Sequence, residues 1–293
     1  MLNSLGNALW KVRRFEEAID TYVECLAIWR EVEDRAGEAQ TLNNLGIVLN
    51  EVRQFGKAVE ANTQSLTIWR ALDDRHGEAK ALDSLGADFG ATGRLEEAVD
   101  AHTRAAATFR ELGDRHSEGR ALDNLGTALG GAKRFEQAVE VHTQAVALFR
   151  ELGDRNGEAR ALLHLGVALG ETERLEEAIG RLTRSVAAFR ELRDRPAEGE
   201  ALFSLGCAQY EAGRFEEAVE AFTPAVTVFR EHDDRSNEGS ALGNMGLALN
   251  DLGRFEEAMS VFDQAVTIFR ELGKQEEAEE LMTHWTVAHD SAG

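Results

Sequence analysis

Hydrophobic residues along this chain fall into two kinds of stripe, and both recur every 40 residues. Leu122, Leu125, Gly126 and Leu129 step by three and four, as one face of a helix requires. Phe135, Ala138, Val139, His142, Ala145, Val146, Phe149 and Leu152 form a second helical stripe. The polar stretch Gly131-Ala132-Lys133-Arg134 between them predicts a tight turn and two antiparallel helices. The register repeats at Leu5-Gly6, Leu45-Gly46, Leu85-Gly86, Leu125-Gly126, Leu165-Gly166, Leu205-Gly206 and Met245-Gly246. Each glycine costs about 1 kcal/mol against alanine in a helix. Its expected role is to admit the second helix at a small alanine such as Ala138.

A helix pair of this kind cannot bury its apolar faces alone, so neighbouring pairs must stack. The pattern predicts seven antiparallel pairs over residues 1–275, the first lacking about a turn of its first helix at Met1. A capping helix follows over 276–289, with Met282 and Trp285 on the leucine positions, and then a tail at 290–293. Pro224 stands inside a second helix, where proline removes a hydrogen bond, and predicts a kink.

The joint between pairs reads Gly113-Asp-Arg-His-Ser-Glu118 and is repeated with small changes. Asp114 is placed to cap the next helix, and Glu118 to sit in its first turn, where the helix dipole favours an acid. Arg110 and Arg150 fall near helix C-termini, where a cation is favoured.

Composition narrows the function classes. A net charge of −21 argues against nucleic acid or an anionic membrane as partner. No apolar run approaches the ~18 residues of a membrane span, and no signal-peptide pattern opens the chain, which points to a cytoplasmic protein. Cys25 and Cys207 match no metal or disulfide spacing and read as free thiols.

The spacing of Leu122, Leu125, Gly126, Leu129, Ala138, His142 and Ala145 resembles the tetratricopeptide repeat. The 40-residue form, with Asp-Arg-x-x-Glu before Asn-Leu-Gly, is similar to the lengthened repeats of Pins-type adaptors and their bacterial relatives. The resemblance implies an all-α, right-handed superhelical solenoid whose first helices line a concave, peptide-binding groove. It also implies the groove positions. Asn44, Asn124 and Asn244 match asparagines that clamp a ligand backbone, and His164 takes the same place. The alternative is that these asparagines bond the neighbouring helix.

Asn43 and Asp123 stand one residue before the clamp position, and Lys80, Arg120 and Arg160 form a row one turn earlier. Lys80 with Asp83 and Arg120 with Asp123 read as i, i+3 surface ion pairs, whereas Arg160 faces Leu163 and stays least neutralised. With Leu163, Phe203 and Tyr210 beside it, the row predicts a partner segment carrying an acidic residue and an apolar anchor. The alternative is that Leu163 and Phe203 pack between repeats.

No catalytic, metal or cofactor constellation is legible. The Glu-Glu pairs at 16–17, 96–97, 176–177, 216–217 and 256–257 follow the repeat, as a solvated face does. His102 and His142 stand where other repeats carry Tyr22, Phe222 or Phe262, and read as satisfied interface histidines. Gly130-Gly131 lacks a phosphate loop's Lys-Ser/Thr ending. The sequence therefore predicts a non-enzymatic protein- or peptide-binding scaffold. The alternatives are a regulatory or sensor arm cut from a larger bacterial signalling protein, and a module that self-associates through its incomplete N-terminal pair.

Overall fold

The computed structural model describes residues 2–292, with side chains through Thr286. Among them every regular element is an α-helix. Two compact units are formed, Met1–Leu152 and Gly153–Gly293. The first holds α1 (Leu2–Lys11), α2 (Phe15–Glu31), α3 (Arg35–Glu51), α4 (Phe55–Ala71), α5 (Arg75–Ala91), α6 (Leu95–Leu112), α7 (Arg115–Gly131) and α8 (Phe135–Leu152). The second holds α9 (Arg155–Gly170), α10 (Leu175–Leu192), α11 (Arg195–Glu211), α12 (Phe215–Glu231), α13 (Arg235–Asp251), α14 (Phe255–Glu271) and α15 (Gln275–Ala292).

Within each unit, every helix packs on the next one in sequence. First helices also touch the first helices of neighbouring pairs, as α3 touches α5 and α11 touches α13. Second helices make no such contact with one another among the described residues. The first helices are therefore the inner layer of each stack, and the second helices are splayed apart outside them.

The repeated joint builds this step. Asp34, Asp74, Asp114, Asp154, Asp194 and Asp234 each accept a backbone N–H three residues on, at 2.8 Å for Asp74 and 3.1 Å for Asp114. The glutamate of the joint does more than favour the helix dipole. Glu118 is buried and accepts Arg110 Nε of the preceding helix at 2.7 Å. Glu38, Glu198 and Glu238 are buried in the same way, each between one arginine before the joint and one inside it. The joint's arginine also reaches the end of the second helix of its own pair, as Arg115 does to Glu151 at 2.5 Å and Arg195 to Glu231 at 3.0 Å.

The glycine of the Leu-Gly pair has a different partner from the expected alanine. A Cβ built on Gly206 would lie 2.6 Å from Phe222 Cε1, and one on Gly126 would strike the His142 ring. What the glycine admits is the large side chain four residues beyond the alanine, because that side chain points straight at the first helix. Across the chain this partner changes from Tyr22, Asn62, His102 and His142 to Leu182, Phe222 and Phe262.

Pro224 does not interrupt its helix: α12 runs unbroken from Phe215 to Glu231, the same 17 residues as α14. The carbonyl that loses its helical donor belongs to Glu220, an exposed residue. At the far end Ala278 of α15 is buried, and Leu281 and Met282 pack over Val266 and Phe269. Helix α15 continues to Ala292, and Gly293, the last residue of the expected tail, lies outside the described residues.

Candidate functional site

The inner layer of the first unit carries a polar cavity of about 210 Å³ between α3, α5 and α7. Asn43, Asn44, Lys80 and Arg120 line it, with Gln40, Ser84 and Asp83 between them. Four residues expected at a binding groove are thus brought to one concavity. Lys80 and Arg120 are exposed, and neither makes an ion pair within 4.0 Å among the described residues.

The expected i, i+3 pairing is corrected. Asp83 turns to the second helix, where its Oδ1 lies 2.8 Å from His102 Nδ1. Asp123 does the same with His142 at 2.9 Å and is buried. A buried imidazole needs a partner for its ring nitrogen, whereas an exposed lysine or arginine is satisfied by water, so the carboxylate goes inward. Burial alone would push the Asp83 carboxyl up. The hydrogen bond and charge of His102, the Asn124 bond and the nearby Arg120 charge outweigh it and hold the group below the usual carboxylate range.

The asparagines bond between pairs. Asn44 Nδ2 donates to Asn3 Oδ1 at 2.9 Å, Asn124 Nδ2 to Asp83 Oδ1 at 3.1 Å, and Asn244 Nδ2 meets Cys207 Sγ at 3.6 Å. Each reaches back to the preceding first helix, which is the second of the two roles open to it from sequence. Asn43 is buried and donates to Ser84 Oγ at 3.2 Å, while its Oδ1 has no partner.

In the second unit Arg160 is exposed on α9, and His164 is half-buried on the same helix. Leu163 is buried, 7% exposed, so it offers no surface to a partner and is withdrawn as an anchor. Phe203 is only partly buried, its ring 5.9 Å from that of Phe222 and 6.4 Å from that of Phe229. Tyr210 donates its hydroxyl to Asp251 Oδ2 at 2.8 Å.

A further buried carboxylate, Asp88, stands at a position with no signal in the repeat pattern. Asp88 on α5 is 1% exposed and accepts Asn50 Nδ2 and Asn62 Nδ2, each at 2.7 Å. Burial raises its carboxyl to about 6 against the opposing hydrogen bonds of Asn62 and Asn50. A folded-state value above the unfolded one means stability that is full below the unfolded value and lost as pH rises through about 6. Asp88→Asn is therefore expected to raise the unfolding free energy at pH 7.5 by about 2 kcal/mol, seen as a higher urea midpoint, and to remove that part of the pH dependence. Asn62 Oδ1, now unpaired, becomes the acceptor for the new amide after a side-chain flip. An unchanged midpoint at pH 7.5 would count against an ionised, buried Asp88.

Sequence-family comparison matches tetratricopeptide-repeat models at residues 1–71, 39–111, 77–151 and 157–231, and again at 203–276. The chain belongs to the tetratricopeptide-repeat family. No curated protein matches it in sequence. Among solved structures, it is similar to the Rap protein complexed with Competence and Sporulation Factor. That match has TM-score 0.69 and 17% identity, covering 94% of this chain and 75% of that one. It is also similar to a Signal Transduction ATPase with Numerous Domains carrying a tetratricopeptide repeat sensor, from Pyrococcus horikoshii. There the TM-score is 0.72 at 14% identity, with 98% of this chain and 48% of that one covered. A third likeness is BtubC from P. vanneervenii, with TM-score 0.66 and 18% identity over 75% of this chain and 92% of that one. At these identities the likenesses establish the repeat fold alone.

Proposed function

We propose that this chain is a non-enzymatic scaffold that binds a protein or peptide segment across the inner layer of the first unit. The observation that carries this reading is the cavity lined by Asn43, Asn44, Lys80 and Arg120, with two unpaired cations at its edge. In a chain of net charge −21, two exposed cations without ion pairs are the natural seat for a partner's carboxylate. The Rap structure with its bound factor supports a ligand-binding use of this kind of stack. The partner segment is acidic, its carboxylate placed between the exposed Lys80 and Arg120.

The charge-reversal pair Lys80→Glu/Arg120→Glu tests this. Both positions are exposed, so the fold is retained. Isothermal titration with a captured partner is expected to show at least about tenfold weaker binding, and the wild-type affinity is expected to fall with added salt. A partner bound equally by both proteins places recognition elsewhere. A second reading is that the chain is the sensor arm of a larger signalling protein. It is favoured by the match of 98% of this chain to 48% of the P. horikoshii signalling ATPase. The acidic ligand would then be the signal rather than a cargo.

A further inference from the structure

The second unit carries a different concavity, of about 180 Å³, between α9, α10 and α11. Its walls are apolar: Val167, Leu182, Phe203 and the Cys207 side chain. Gly170, like Gly90 and Gly130 of the same register, has no side chain to close it, where Asn50, Tyr210 and Asn250 have one. Cavities near 150 Å³ lined by such residues admit a benzene-sized group, so this one holds a single aromatic or branched aliphatic side chain. Val167 remains 45% exposed at its mouth, an apolar surface with no covering element among the described residues.

The rim is acidic. Glu171 and Glu211 both border the cavity, and no ion pair reaches either among the described residues. The Glu211 carboxyl is held above the ordinary range, first by burial and then by the negative charge of Glu171. The first unit has no such rim, because the same register there is Lys11, Glu51, Ala91 and Gly131. Cys207 is not a reactive group in this setting. Burial, then the Glu211 charge, pushes its thiol up to about 12, so the sulfur stays protonated and serves as wall.

Resting on the reading of the chain as a peptide-binding scaffold, we infer that this cavity is a second subsite. It takes a partner's apolar side chain, with a neighbouring lysine or arginine held between Glu171 and Glu211. Charge complementarity sets the occupant: a cation relieves the repulsion of two neighbouring carboxylates while the apolar group beside it covers Val167, Leu182 and Phe203. The two subsites therefore select opposite charges, acidic in the first unit and basic beside an apolar residue in the second.

The probes are labelled Ser/Gly octapeptides with Phe-Lys, Phe-Ser or Phe-Glu at the centre, read by fluorescence anisotropy on the whole chain. Phe-Lys is expected to bind about tenfold more tightly than Phe-Glu. Glu171→Gln/Glu211→Gln should bring that ratio close to one without disturbing the fold, since both residues are exposed. Gly170→Leu fills the cavity, because a Cβ there meets nothing within 4 Å, and should weaken all three peptides about tenfold. The inference is overturned if Phe-Glu binds as well as Phe-Lys, if the glutamine variant keeps the preference, or if Gly170→Leu changes nothing. An acidic peptide that binds wild type and is lost in Lys80→Glu/Arg120→Glu, alongside such a result, leaves the scaffold reading standing. Binding by neither class of peptide overturns both.

Discussion

Removing both arginines around Glu238, as Arg230→Ala/Arg235→Ala, lowers the stability of the second unit by about 3 kcal/mol. Glu238 is 1% exposed and accepts Arg230 Nε at 2.7 Å and Arg235 Nη1 at 2.6 Å. The arginines are the exposed partners, so the two halves of the pair are not equivalent. Without them a carboxylate remains buried with only the α13 N-terminus to compensate it. Without the carboxylate, as in Glu238→Gln, the exposed Arg230 returns to water and Arg235 keeps its bond to Glu271 at 2.8 Å, and the loss is nearer 1 to 2 kcal/mol. Urea unfolding followed by circular dichroism measures both. A double arginine variant no less stable than Glu238→Gln would contradict the account of the joint as a buried, charge-compensated clasp.

Gly206→Ala destabilises by about 2 kcal/mol, although alanine is the better helix former by about 1. The new Cβ lies 2.6 Å from Phe222 Cε1, and Phe222 is fully buried, so its ring or the helix must shift. Gly180→Ala provides the control, since a Cβ there meets nothing within 4 Å and the site is exposed on α10. That variant gains several tenths of a kcal/mol or more in the same urea experiment. Two alanines of equal propensity thus move stability in opposite directions. If both stabilise, the packing role of the Leu-Gly glycine is wrong.

Much of the architecture is legible in the sequence because the repeat averages over local ambiguity. Steps of three and four at Leu122, Leu125 and Leu129 specify a helix, and the same steps in every repeat specify the stack. The aspartate caps follow from residue type and position alone. Partner choice is less legible. Asp123 has Arg120 one turn away on its own helix and His142 on the next, and spacing favours the arginine. Burial decides for the histidine, because an unpaired ring nitrogen in the core costs more than an arginine left to water. The signal was present as a correlation between two registers. Asp83 and Asp123 occur with His102 and His142, whereas Leu163 and Phe203 occur with Leu182 and Phe222. Read this way, Leu163 belongs to the core rather than to a binding surface, and the polar pairs belong to the first unit.

The same limit applies to the clamp asparagines. Their register is fixed by Leu-Gly, but whether an amide turns to a ligand or to its neighbour depends on what stands 41 residues earlier, as Asp83 does for Asn124. Glu171 and Glu211 were invisible for a related reason. They lie near the ends of α9 and α11, where the repeat looks like a turn, and only the stacking of helices sets them on one rim.

The central claim, that the inner layer of the first unit receives a partner, is tested most directly by photo-crosslinking from inside the cavity. Ile47 lines it, half-buried, and is replaced by p-benzoylphenylalanine; Gln64, exposed on α4, carries the same group in the control. In native lysate the Ile47 probe is expected to capture an acidic segment, identified by mass spectrometry and displaced by the corresponding synthetic peptide. Equal capture from Gln64, or capture at Ile47 that survives Lys80→Glu/Arg120→Glu, would contradict it.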